Sequence, residues 1–131
     1  MTSAPAARTP GAMRTGPGEY LFDSGTVQTN MGGPACSSAY GPCVEGDRMI
    51  VGRMRTSSGA EPHYHPNKQR AYLLEGTFRG TIGGKMIEAG PGAEIYIPAD
   101  TILSGGATAV GDFVFFTVKD GSHSLHGIVA N

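Results

Sequence analysis

Between Arg48 and Val118 short apolar stretches alternate with clusters of turn residues, and within the stretches side chains of opposite character trade places at every second position. That period of two belongs to strands, whose successive side chains point to opposite faces. Turn signals fall at Ser57-Ser58-Gly59, His65-Pro66-Asn67, Glu75-Gly76, Gly83-Gly84, Gly90-Pro91-Gly92, Gly105-Gly106 and Asp120-Gly121, residue types that accept the backbone angles of a reversal. The intervals predict strands over 49–55, 69–74, 77–82, 85–88, 94–97 and 113–118, mostly β-branched, aromatic or aliphatic. In the second of these, Gln69, Ala71 and Leu73 are expected to face inward and Arg70 and Leu74 the opposite side. No stretch of ten residues carries helical periodicity, so the expected fold is all-β, an antiparallel sandwich or small barrel.

Upstream the pattern weakens. Residues 19–44 hold short apolar patches, Tyr20-Leu21-Phe22 and Val27, broken by Asn30, Gly32-Gly33-Pro34 and Gly41-Pro42, which suits a strand pair or a lead-in loop. Residues 1–18, rich in Ala, Pro, Gly, Thr and Ser without periodicity, read as a flexible N-terminal arm, leaving 19–131 as one domain. A length of 131 residues fits a single core, and 21 glycines with 9 prolines disfavour a helical bundle. The net charge of -1, without a basic block or acidic tail, argues against nucleic acid and anionic membrane as partners. No apolar run approaches the ~18 residues of a membrane span. Without an apolar segment behind the first positive charge no secretory signal is read, and the expected location is the cytoplasm. In that reducing compartment Cys36 and Cys43 are expected as partly buried thiols rather than as the small disulfide their spacing would allow.

Chemistry concentrates in Gly59-Ala-Glu-Pro-His63-Tyr-His65-Pro-Asn-Lys-Gln69-Arg-Ala-Tyr-Leu-Leu-Glu-Gly76. Histidines at i and i+2 on an extended segment share a face, so His63 and His65 can converge on one ion at ~2.0–2.2 Å. Gln69, opening the next strand, can add its amide oxygen, and such a three-ligand face leaves positions open for water or substrate. The same pair can equally sit on a solvated sheet face or stack on aromatic rings. Gly59, His63, His65, Gln69 and Gly76 fall at the spacings of the first motif of the cupin superfamily, which the chain resembles over about residues 48–119. Gly90-Pro-Gly-Ala-Glu-Ile-Tyr-Ile-Pro98-Ala-Asp100-Thr-Ile-Leu103 resembles the second motif, and Gly76-Thr-Phe-Arg-Gly-Thr-Ile-Gly-Gly-Lys85 the hairpin between them. The resemblance implies an antiparallel jelly-roll β-barrel whose mouth holds one divalent transition metal, iron, manganese, zinc, nickel or copper, on His63, His65 and Gln69.

Three departures stand out. Leu103 occupies the place of the family's last histidine, and leucine neither coordinates a metal nor moves a proton. Asp100 stands where the motif prefers glycine, and Lys68 where many relatives have glutamate, though alternation turns Lys68 away from Gln69. Three readings stay open: a neutral His63, His65, Gln69 site, replacement of the missing ligand by another side chain, or a barrel that has lost its metal. His123 and His126, in a Gly-Ser tail, are expected at the solvated surface. Tyr40, Tyr72, Tyr96, Cys36 and Cys43 can approach the mouth. Glu61, as a general base, and Tyr96 are the candidate catalytic groups. Leu103, Tyr40 and Arg53 are the candidate pocket residues, Arg53 as an anchor for a substrate carboxylate.

Two functions follow. The first is a small metal-dependent enzyme acting on an oxygenated organic substrate, by Lewis-acid isomerisation, cyclisation or lysis or by dioxygen activation. A neutral Gln69 leaves the ion its full charge and favours polarising a carbonyl or enolate. The second is a non-catalytic barrel that binds a small molecule, with Leu103 marking a degenerate metal site; fold alone does not choose. The partner is a small molecule in both. Apolar side chains on both faces of Tyr72-Leu73-Leu74 also lead us to expect a homodimer, the N-terminal arm crossing to the second copy.

Overall fold

The computed structural model describes residues 9, 11–23, 25, 29–31, 37–57, 59–108 and 111–130. These residues form β1 (Met13–Arg14), β2 (Thr29–Met31), β3 (Tyr40–Gly46), β4 (Met49–Thr56), β5 (Ala60–Tyr64), β6 (Gln69–Glu75), β7 (Phe78–Ile82), β8 (Lys85–Ala89), β9 (Glu94–Ile97), β10 (Leu103–Ala107), β11 (Phe113–Asp120) and β12 (Ile128–Val129). One sheet runs β1-β3-β4-β11-β6-β9 with β2 beside β3, and the other runs β12-β5-β10-β7-β8. Pairing is antiparallel throughout except for the short parallel contact of β1 with β3. The expected all-β jelly-roll barrel is thus the fold. Among the described residues no helix is long and apolar enough to cross a membrane.

Strand alternation decides what the barrel encloses. On β4 Ile50, Gly52, Met54 and Thr56 are buried, on β6 Gln69, Ala71 and Leu73, and on β11 Phe113, Thr117 and Lys119. Arg53, Arg70, Tyr72 and Phe116, at the alternate positions, are exposed. The apolar interior falls into two clusters, one of Leu73, Phe78, Ile82, Ala89, Ile97 and Phe113, the other of Ala39, Cys43, Ile50, Met54 and Leu125, with Phe115 packed against both. Each such large side chain, once buried, contributes roughly 1.5–3 kcal/mol.

Three sequence expectations need correction. Gly105-Gly106 is no turn; it lies inside β10. Gly105 has φ +127, and a Cβ there would stand 2.4 Å from the Arg79 carbonyl oxygen and 2.5 Å from Gly80 Cα, so glycine marks the close approach of two backbones instead of a reversal. The arm expected to be loose through residue 18 is docked where it is described: Met13 and Arg14 pair with Val44 and Glu45. Glu45, 2% exposed, accepts the Thr9 backbone N–H at 3.0 Å and Arg14 Nη1 at 2.5 Å. Burial pushes its carboxyl up, but those hydrogen bonds outweigh burial and hold it below the usual range. Residues 1–8 and 10 lie outside the described residues.

The third concerns the tail. The tail carrying His123 and His126, two histidines expected at the solvated surface, crosses the end of the barrel over residues 121–130. Asn67 Nδ2 donates to the carbonyls of Asp120, His123 and Ser124 at 2.8, 3.2 and 3.3 Å. The Leu125 N–H donates to Thr9 Oγ1 at 2.8 Å, and β12 returns to pair with β5, placing Val129 opposite His63. His123 and His126 are half-buried there, outside the cavity described next.

Candidate functional site

Between the sheets lies a cavity of about 100 Å³, mostly apolar, with His63, His65, Gln69, Thr117 and Lys119 forming its polar wall. The two-residue spacing on extended chain brings the imidazoles edge to face, their centroids 5.1 Å apart, as the sequence required of a shared face. Gln69 opens β6 on its inward side. Leu103 also lines the cavity, and it pairs directly with His63 across the β5–β10 ladder. The second motif is therefore in register, with an apolar wall where the histidine is missing.

His63, His65, Gln69, Thr117 and Lys119 each make at least one defined hydrogen bond. His63 Nδ1 lies 2.7 Å from the Glu61 carbonyl oxygen, which only accepts, so Nδ1 carries the proton and Nε2 is a lone pair. Burial, opposed by that hydrogen bond and aided by the Lys119 charge, holds the His63 pKa below the usual histidine value. Gln69 Nε2 donates to Thr117 Oγ1 at 2.8 Å, and Thr117 passes its own proton to the Arg70 carbonyl at 3.2 Å. Lys119 is 2% exposed; its Nζ donates to the Leu125 carbonyl at 2.8 Å and to His65 Nδ1 at 2.7 Å. The His65 pKa is pushed down to about 2, first by burial and then by Lys119, while its bond to the His126 backbone works against that shift.

These roles bear on the expected metal. His63 fits, because an anchored Nδ1–H fixes the ring and leaves Nε2 for an ion. His65 does not. Its Nδ1 lone pair is taken by Lys119, and its N–H is held by the His126 backbone. Among the described residues, no three His, Cys, Asp or Glu side chains come together to hold a metal ion. The Lys119 ammonium beside His65 repels a cation brought to that ring, and His63, His65, Gln69 and Leu103 bring no negative charge to offset it. As built, the residues do not fit a resident divalent metal.

Of the other candidates among the described residues, none lines the cavity. Glu61 is exposed because β5 carries one extra residue against β10, where Leu103 pairs with His63 but Gly105 with Ala60; the bulge turns Glu61 outward and leaves only its carbonyl to the site. Tyr96 alternates with the inward Ile95 and Ile97, is exposed, and lies under the Arg70 guanidinium at 4.9 Å. Tyr40 and Arg53 occupy the outward positions of β3 and β4, Arg53 3.7 Å from the Glu75 carboxylate. Lys68 is exposed, as alternation required. Cys43 is fully buried, its thiol pushed up to about 11 by burial and then by Glu45; Cys36 lies outside the described residues. Lys119 was missed, although Phe113, Phe115, Thr117 and Lys119 share one parity and an inward Phe113 implies an inward lysine.

A family model described as the cupin domain matches residues 51–119, and the chain belongs to the cupin family. No curated protein matches the chain. Among solved structures it is similar to KdgF from Halomonas sp. (16% identity, TM-score 0.65, covering 79% of this chain and 94% of that one). It is also similar to the polyketide cyclase RemF from Streptomyces resistomycificus (20%, 0.65, 78% and 79%). A third likeness is to Bacillus subtilis oxalate decarboxylase, a protein with Mn(II) centres (22%, 0.64, 77% of this chain but 29% of that one). At these identities the likeness is one of fold.

Proposed function

We propose that the barrel is a metal-independent binding module, which holds a small, largely apolar organic molecule in its cavity with one polar group turned to the wall of His63 and Gln69. The observation that carries this reading is the contact of Lys119 Nζ with His65 Nδ1 at 2.7 Å, which puts a positive charge and a hydrogen bond where an ion would need a lone pair. The apolar Leu103 beside His63 supports it. At about 100 Å³, below the roughly 150 Å³ of an apolar cavity that accepts benzene, the volume suits a short chain or at most one ring.

A metal-dependent enzyme is the second reading, favoured by the free Nε2 of His63 and by the Mn(II) centres of the structurally similar oxalate decarboxylase. Elemental analysis of purified protein separates the two. Less than a tenth of an equivalent of transition metal is expected; one equivalent that disappears in a His63→Ala, His65→Ala double variant would overturn the binding reading in favour of the enzyme.

A further inference from the structure

Resting on that binding reading, we propose that the cavity selects a ligand by a hydroxyl that donates, a small alcohol or phenol, in preference to an ether, a ketone or a carboxylate. The hydrogen bonds around the wall fix this polarity. His63 spends its N–H on the Glu61 carbonyl, and Nε2 remains as an acceptor. Gln69 donates one amide N–H to Thr117, whose hydroxyl proton goes on to the Arg70 carbonyl; this orientation leaves its Oε1 as an acceptor beside a second amide N–H. Neither acceptor is sealed off. Among the described residues the buried side-chain polar atom lacking a partner is Asn67 Oδ1, which leaves His63 Nε2 and Gln69 Oε1 in reach of the space their side chains line.

A ligand facing two lone pairs must bring a proton. An ether or ketone oxygen would meet them unbonded, and a carboxylate would be repelled, each leaving buried acceptors unpaired. Ser37, Thr56 and Ser104, also on the wall, donate or accept and do not choose. Lys119 is the one group that would favour an anion, but it is 2% exposed and donates to His65 and to the Leu125 carbonyl.

Phenol, anisole and benzoate share one ring and differ in donor, acceptor and charge. Metal-stripped protein is titrated with each, following the methyl resonances of Leu73, Leu103 and Ile97 on the cavity wall. Phenol is expected to bind at least tenfold tighter than anisole or benzoate, and His63→Leu to weaken phenol about tenfold while changing anisole less than threefold. Gln69→Met, used if His63→Leu does not fold, is expected to act the same way. Equal binding of phenol and anisole at those methyls overturns donor selection and leaves the binding reading standing. Tightest binding of benzoate overturns it in favour of the Lys119 charge, and no shift with any of the three overturns both readings.

Discussion

Leu103 stands directly opposite His63 across two antiparallel strands, and both side chains line the same cavity. An imidazole at 103 would therefore join His63, yet Lys119 would still hold His65. Leu103→His alone is expected to leave Zn²⁺ affinity weak. Lys119→Met frees the His65 lone pair and is expected to raise affinity by ~10–100-fold, the usual reach of a residue that controls a ligand from behind. Calorimetry on the two single variants and the double variant checks the order, with the double variant tightest.

Acid should destabilise the fold before the carboxylates titrate. Folded His65 is held to about 2, by burial and then by Lys119, against 6.5 for an ordinary histidine. Between those values the unfolded chain binds more protons, so the unfolding free energy falls as pH drops below about 6.5, by about 1 kcal/mol per pH unit. His63, shifted in the same direction, adds to the slope. Urea denaturation at several pH values between 7 and 5 measures it, and His65→Gln, which keeps an acceptor for Lys119, is expected to flatten it.

Asn67 pins the tail through three carbonyls, and removing its donors leaves buried oxygens unpaired. Asn67→Ala is expected to cost about 1–3 kcal/mol. Amide exchange should accelerate over residues 121–130 more than in β4 or β11. Uniform acceleration across the barrel would instead make Asn67 an ordinary core residue.

Glu45 ties Thr9 and Arg14 to the barrel. With Arg14 44% exposed, the ion pair is screened and Glu45→Gln is expected to cost only about 1 kcal/mol. Its clearer effect is on the arm. Tryptic cleavage after Arg14 should speed up several-fold while the barrel stays intact, which mass spectrometry of the fragments reads directly.

The barrel was legible because its signal is local. The alternation of Gln69, Ala71 and Leu73 and the turn residues between strands depend on neighbours in sequence, and so does the His63, His65 and Gln69 spacing. What escaped was set by distant partners. Glu61 was misplaced by a bulge whose extra residue shows only against β10, and Gly105 by the need of another backbone for its space. The Lys119–His65 contact spans 54 residues. Parity along β11 pointed the lysine inward, but nothing local told which ring it would meet.

The strand that carries His63 is hydrogen-bonded along both edges, to β10 at Leu103 and to β12 at Val129. It has no open side along which to shift, so a molecule reaching the cavity cannot pass by parting β5 from a neighbour without breaking a ladder. The tail is held at its crossing by side-chain bonds and by a pairing of only two residues with β5. A variant that loosens the tail, from which Leu125 reaches the cavity wall, is expected to speed arrival and departure of a small molecule alike.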